Sequence, residues 1–259
     1  MKAAARTAAK TEAGPIRYVD RRQIFAEHAF FRGVAAGALE ELAARSRVEH
    51  VRRGRTIFRK GSSGLALMAV LRGTVKICTV SRNGREAVLN LIGPGNVFGE
   101  IAVLDGGPRT ADAVAGSDCE ILVLDRRDLL PILGANPDIA QRLIEVLCGR
   151  LRRTSEQLED VFFLDLPGRL AKMLLRPVDE AAKVPGAKMA GAKENGRESS
   201  LPLTQRELGE MIGTSRESIN KQLHKWQRAG IVRIGRGGIE LRRPEALRRL
   251  AREIDDAAE

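Results

Sequence analysis

Between Val48 and Asp125 the chain is written in short apolar runs, each closed by glycine or polar residues: 56–58, 67–71, 75–77, 88–92, 97–98, 113–115 and 121–124. Runs this short at regular spacing read as strands of a small barrel or roll. Asn83-Gly84 predicts a hairpin with a type I′ turn, in which both central residues need positive φ. After Pro137 the texture reverses. Ala140, Ile144, Leu147, Leu151, Thr154, Leu158 and Val161 recur at alternating steps of four and three, which predicts an unbroken helix to about Leu164 with a coiled-coil seam. The seam can serve a twin chain, with Leu143 and Val146 covering the β domain, or the helix can pack on its own domain alone; a homodimer is the expected arrangement.

The stretch 98–111, Phe-Gly-Glu-Ile-Ala-Val-Leu-Asp-Gly-Gly-Pro-Arg-Thr-Ala, interrupts the strands with residue types suited to a small anion. Gly99 permits close backbone approach, and Glu100, Ile101 and Ala102 can open a short helix whose unbonded N–H groups favour phosphate. Arg109 adds a planar fork of donors and Thr110 a hydroxyl, with Ala111 closing the stretch. Glu100 would repel an anion, so it is expected to face a sugar hydroxyl or a second arginine. The competing reading is an ordinary glycine turn beside an exposed arginine.

Leu166-Pro167-Gly168 breaks the long helix and places a hinge at Asp165, which can cap a helix from Arg169 to about Arg176. Residues 177–200 read as a flexible Ala, Lys and Gly insertion. Thr204 and Glu207 then spell a capping box, with Leu203 and Leu208 as a hydrophobic staple, and Gly213 supplies a turn. Thr214 or Ser215 caps a second helix whose buried stripe is Ile219, Leu223 and Trp226. Its other face, Arg216, Glu217, Asn220, Lys221 and Lys225, is polar and mostly basic. Apolar runs 231–234 and 239–241 flank Arg236-Gly237-Gly238 as a wing. Together these elements make a helix-turn-helix that presents its second helix to the major groove. Glu217 also stands three residues after Thr214, so its carboxylate has either a base contact or a second capping box open to it.

The net charge of +11 agrees with a polyanionic partner, nucleic acid ahead of a membrane surface. Residues 1–22 are rich in Ala, Lys and Arg without apolar periodicity and are expected to be a disordered basic arm, with an organelle transit peptide as the less favoured reading. Residues 24–42 carry apolar positions at helical intervals, enough for two short helices broken near 33–37. No apolar run approaches a membrane span, and the expected location is the cytoplasm. Cys78, Cys119 and Cys148 are scattered without metal-ligand spacing, so no metal is expected. No P-loop or nucleophile–base motif points to an enzyme.

The 98–111 stretch closely resembles the phosphate-binding cassette of cyclic-nucleotide-binding domains: Phe-Gly-Glu, a short apolar run, then Pro-Arg-Ser/Thr/Ala-Ala. The second domain resembles the Crp-type winged helix-turn-helix, whose recognition helix opens Ser-Arg-Glu, here 215–217. Residues 24–241 thus resemble the Crp-Fnr superfamily throughout. The fold this implies is α+β: a basic arm (1–22), a cyclic-nucleotide-binding β-roll (23–136), a dimerisation helix (137–164) and a winged helix-turn-helix domain (165–259). The resemblance implies cAMP as allosteric ligand, with cGMP, another effector or constitutive activity as rivals. It assigns Thr154 and, from the partner subunit, Ser155 to the adenine, and brings Arg150 and Leu151 near the ligand, Arg150 as a partner for Glu100. On DNA it gives Arg216 a guanine, Glu217 a cytosine amino group, and Thr204 and Ser215 phosphates. Lys221 stands where many relatives carry a second recognition arginine. RNA polymerase is the further partner implied.

Overall fold

The computed structural model describes residues 28–31, 34–84, 86–182, 200–201, 204–235 and 238–252. The basic arm, Leu203, Arg236 and most of the expected insertion lie outside them. After a 3-10 turn at Ala29–Phe31 comes helix α1 (Ala36–Arg45), then strands β1 (Ser46–Val51), β2 (Thr56–Phe58), β3 (Ala66–Arg72), β4 (Val75–Val80), β5 (Glu86–Ile92) and β6 (Val97–Phe98). Helix α2 (Glu100–Asp105) precedes β7 (Asp112–Ala115), β8 (Cys119–Asp125), α3 (Arg126–Ala135) and the long α4 (Pro137–Phe163). The strands form two antiparallel four-stranded sheets, ordered β1-β8-β3-β6 and β2-β7-β4-β5.

Strand alternation builds two cores on the two faces of the first sheet. Ala66, Met68, Val70, Ile121 and Val123 point at the second sheet and pack with Val75, Phe98 and Ala113. Leu67, Ala69, Leu122 and Leu124 point the other way, onto a helical layer of Phe31, Leu42, Leu129, Ile132, Ile139 and Leu143. β3 and β8 are therefore apolar at nearly every position, because neither face meets water.

Over 24–42, where two short helices are expected, the described residues hold the 3-10 turn and α1, which begins at Ala36, and 24–27 and 32–33 lie outside them. Two expectations change. The β4–β5 hairpin forms, with Val80 opposite Glu86, but its turn is not type I′. Among the described residues of the connection Gly84 alone takes positive φ, at 74°, its N–H donating to Ser81 O at 2.9 Å, and no described non-glycine is left-handed. The longer connection lets one glycine absorb the reversal. Second, α5 (Leu166–Ala182) continues through Pro177, carrying the helix past the expected start of the insertion.

The α4–α5 break is where the sequence places it. Leu164 is extended, and Asp165 accepts from Gly168 N–H at 2.8 Å. Beyond lie β9 (Ser200–Leu201), α6 (Gln205–Ile212), α7 (Arg216–Arg228), the wing strands β10 (Val232–Gly235) and β11 (Gly238–Leu241), and α8 (Pro244–Leu250). Leu170, Leu174, Leu208, Ile219, Leu223, Trp226 and Leu247 form the separate core of this domain. Ser200, expected inside the insertion, instead pairs with Glu240 as part of β9. Among the described residues no helix is long and apolar enough to cross a membrane.

Candidate anion cleft and nucleic-acid interface

Between the second sheet, α2 and α4 lies a cleft of about 220 Å³. Gly99, Glu100, Ile101, Ala102, Arg109, Thr110, Ala111, Arg150 and Thr154 all line it. Leu151 and Ser155 do not. On a helix the face that carries Arg150 continues through Arg153, Thr154 and Gln157, so residues 151 and 155 are turned about 100° from their neighbours on that face, toward the exposed stripe. Leu151 is 69% exposed. The expected approach of Leu151 to a ligand is therefore not made within its own chain. Thr154 and Ser155 hydroxyls donate to Arg150 O at 3.0 Å and Leu151 O at 3.1 Å.

Arg109 is only 4% exposed. Its guanidinium donates to Gly99 O at 2.6 Å and Ala66 O at 2.7 Å and lies 4.2 Å from the centre of the Phe58 ring. Its Nε has no protein partner. Burial pushes its pKa down and the Glu100 charge opposes that, but a guanidinium remains cationic at neutral pH. The result is a fixed buried cation with a donor in reserve. Glu100, itself buried, pairs with Arg150, which also donates to Val97 O. The carboxylate thus faces a second arginine.

Gly99 makes this packing feasible. Its φ is 77°, and a Cβ there would lie 2.5 Å from an Arg109 terminal nitrogen. Both the left-handed backbone and the arginine's approach exclude a side chain. A small anion fits such a cradle: close backbone, a buried cation and a neighbouring carboxylate already neutralised.

Sequence reasoning missed Phe58, Arg153, Gln157 and Arg176, which also line the cleft. Arg153 and Gln157 follow Arg150 at helical spacing and were legible on that ground. Phe58 and Arg176 come from a distant strand and from the second domain, which only tertiary folding brings together.

In that second domain, Thr204 Oγ1 accepts from Glu207 N–H at 3.2 Å while Glu207 accepts from Thr204 N–H at 2.8 Å, completing the capping box. Gly213 closes α6 in the left-handed region. Ser215 is the residue that caps α7, accepting from Ser218 N–H at 3.1 Å, so Glu217 does not form a box with Thr214. Its carboxyl is instead held below the usual carboxylate range by its own backbone N–H and then the Ser215 hydroxyl. Arg216, Glu217, Lys221 and Lys225 are exposed and Asn220 is half-buried, while Ile219, Leu223 and Trp226 are buried. The helix therefore has one apolar face seated in its own domain and one largely cationic face turned outward.

Residues 48–136 match the family model described as cyclic nucleotide-binding domain, and residues 168–250 the Crp-like helix-turn-helix domain. A CRP-like cAMP-activated global transcriptional regulator of Mycobacterium tuberculosis is 34% identical over 231 residues, 89% of this chain and 99% of that protein. The cyclic AMP receptor protein of Thermus thermophilus is 35% identical over 201 residues, 76% of this chain and 85% of that one. Among solved structures, a CRP/FNR-family transcriptional regulator from Thermus thermophilus superposes with a TM-score of 0.63 at 26% identity, over 80% of this chain and all (100%) of that one. These relatives and domains belong to transcription regulators, not enzymes. A β-roll holding an arginine-lined cleft, joined by one long helix to a winged helix-turn-helix, and sequence likeness that spans both parts make this chain a member of the Crp-Fnr family of cyclic-nucleotide-binding transcriptional regulators.

Proposed function

We propose that the chain is a cAMP-dependent regulator that binds an imperfect palindrome as a homodimer. The observation that carries this reading is Arg109: a buried guanidinium with an uncommitted Nε, in a cleft whose carboxylate is already paired. Such a site suits one cyclic phosphodiester. The ligand contributes a single negative charge and a purine face. Arg109 and the backbone around Gly99 take the charge, and Thr154 meets the base.

The dimer is supported by the seam. Ile144, Leu151, Leu158 and Val161 are 59, 69, 57 and 58% exposed, a stripe that a second copy would cover. Ser155 lies off its own chain's cleft and is assigned to the partner's ligand. On DNA, Arg216 reads guanine, Glu217 and Asn220 neighbour the base edges, Lys221 is a less directional reader, and Thr204, Ser215 and Arg236 hold phosphates. Ligand binding at the seam turns the DNA-binding domains about Asp165 until both α7 helices fit grooves one helical turn apart. The regulator acts in the cytoplasm and meets RNA polymerase at the promoters it controls.

Calorimetry with cAMP and with cGMP, followed by operator binding across a salt series, tests the proposal. The expected result is preference for cAMP, operator affinity raised by it, and loss of both effects in Arg109→Leu. Unchanged stimulation in that variant, or operator binding indifferent to millimolar cyclic nucleotide, would overturn it.

A further inference from the structure

One wall of the effector cleft belongs to the other domain. Arg176 lies on α5, whose Leu170, Ala171, Leu174 and Leu175 are buried in the core that also holds α6 and α7. Yet Arg176 lines the cleft together with Arg109, Arg150 and Arg153, and Glu100 is the single carboxylate among the lining residues. A second cavity of about 230 Å³ adjoins the first. Leu89 of β5, Gln157 of α4 and Arg176 line both, and the far wall of the second is Glu210, Met211, Ile212 and Gly213, the end of α6 and the turn before α7.

The surroundings explain how Arg176 is held there. Arg169, Lys172 and Arg176 recur at helical spacing and give α5 a basic face toward the cassette domain. Lys172 is pinned to Asp160 of α4 at 2.5 Å. Among the described residues Arg176 has no comparable ion pair, so its guanidinium remains available to whatever enters the cleft.

We propose that Arg176 is the residue through which the DNA-binding domain reads effector occupancy within its own chain. The proposal rests on the cyclic-nucleotide reading of the cleft and adds a route that bypasses the partner subunit. Without an anion, Arg176 approaches an arginine-rich wall, and like charges closer than about 8 Å are poorly screened at physiological salt. A phosphodiester anion lowers the net positive charge facing Arg176 by one, and its oxygens and the purine ring nitrogens offer acceptors to a guanidinium. Arg176 is then drawn inward, and α5 carries α6 and α7 with it because they share one packed core. A ligand shifts an equilibrium only by its differential affinity for two arrangements, and a contact on the moving body supplies that difference.

The test uses the full-length protein, cAMP and operator DNA. Operator affinity is measured with and without saturating cAMP, and cAMP affinity with and without operator, for wild type, Arg176→Gln and Arg176→Lys. Arg176→Gln is expected to lower the coupling ratio by about tenfold, equally in both directions because coupling is reciprocal. Its DNA affinity without cAMP is expected not to fall below the wild-type value, because removing the charge relieves the repulsion present in the unliganded cleft. Arg176→Lys keeps the charge and retains part of the coupling, and it serves as the deciding variant if Arg176→Gln does not fold. A merely structural role would lower thermal stability and unliganded DNA binding while leaving the ratio intact. An unchanged ratio in a variant that binds cAMP overturns the role of Arg176 alone. A wild type that binds no cAMP overturns the cyclic-nucleotide reading itself.

Discussion

Arg109 shows why this position needs an arginine. Two of its donors are spent on carbonyls, Gly99 O and Ala66 O, which fix the plane of the guanidinium over Phe58 and leave other N–H groups aimed elsewhere. A lysine has one nitrogen for all these tasks and no planar fork. Gly99 is the complementary residue, since its missing side chain is where the guanidinium sits. Gly99→Ala should therefore do two things. It forces an L-residue to a φ of 77° and it pushes Arg109 aside. We expect a stability loss of about 1 kcal/mol or more, and cAMP affinity reduced by more than that loss alone explains. Thermal unfolding and calorimetry on the same samples separate the effects. Wild-type affinity in a destabilised Gly99→Ala protein would show that the cradle does not depend on this approach.

At the scale of elements, α4 is the member on which the arginine-lined cleft and the proposed dimer seam meet. Its Ile139 and Leu143 are buried under the β-roll, Arg150 and Thr154 line the cleft, and Leu151 and Leu158 face outward. Each outward leucine covered by a twin contributes about 1.5–3 kcal/mol, and a two-fold interface counts it twice. Leu151→Glu should weaken the dimer by about a hundredfold or more, read by sedimentation across protein concentration. The Arg150–Glu100 pair lies on another face, so the monomeric variant should keep part of its cAMP affinity. An unchanged dimer would place the interface elsewhere. This helix was legible because its apolar steps run without interruption, and the strands were legible because glycine turns frame them. β1 was harder: Ser-Arg-Val-Glu-His-Val offers two apolar residues in an edge strand that is half exposed. α3 was hidden by Pro131 in its interior. The cassette could be read because its donors lie within one short stretch. The rest of the cleft wall could not, since Phe58 and Arg176 reach it from distant parts of the chain, and sequence spacing holds no record of that distance.

Among the described residues the whole molecule has three cores, two in the β-roll domain and one in the DNA-binding domain. Leu170, Leu208, Ile219 and Trp226 form a core of their own in the DNA-binding domain, distinct from the interior of the β-roll domain, which is built on Leu42, Val70, Ile121 and Ile132. Calorimetric unfolding should accordingly show two transitions, with cAMP raising that of the β-roll domain more than that of the DNA-binding domain. Acidity should separate them further through His28. This imidazole is 6% exposed against Phe31, neither ring nitrogen makes a well-formed hydrogen bond, and burial, opposed in part by the Val70 backbone, pushes its pKa below the ordinary 6.5. The unfolded chain thus binds the proton more readily than the folded one. The stability contributed by neutral His28 is complete above pH 6.5 and is lost as the pH falls toward the folded value. The loss is at most about 1.4 kcal/mol per pH unit. His28→Phe keeps an aromatic ring beside Phe31 and removes the titration, so its β-roll transition should fall less between pH 7.5 and 5.5 (~2 pH units) than that of wild type. The DNA-binding transition should respond equally in both proteins, because His28 is the one buried histidine among the described residues and lies outside that core. Identical acid profiles for the β-roll transition in wild type and variant would assign the pH dependence to other groups.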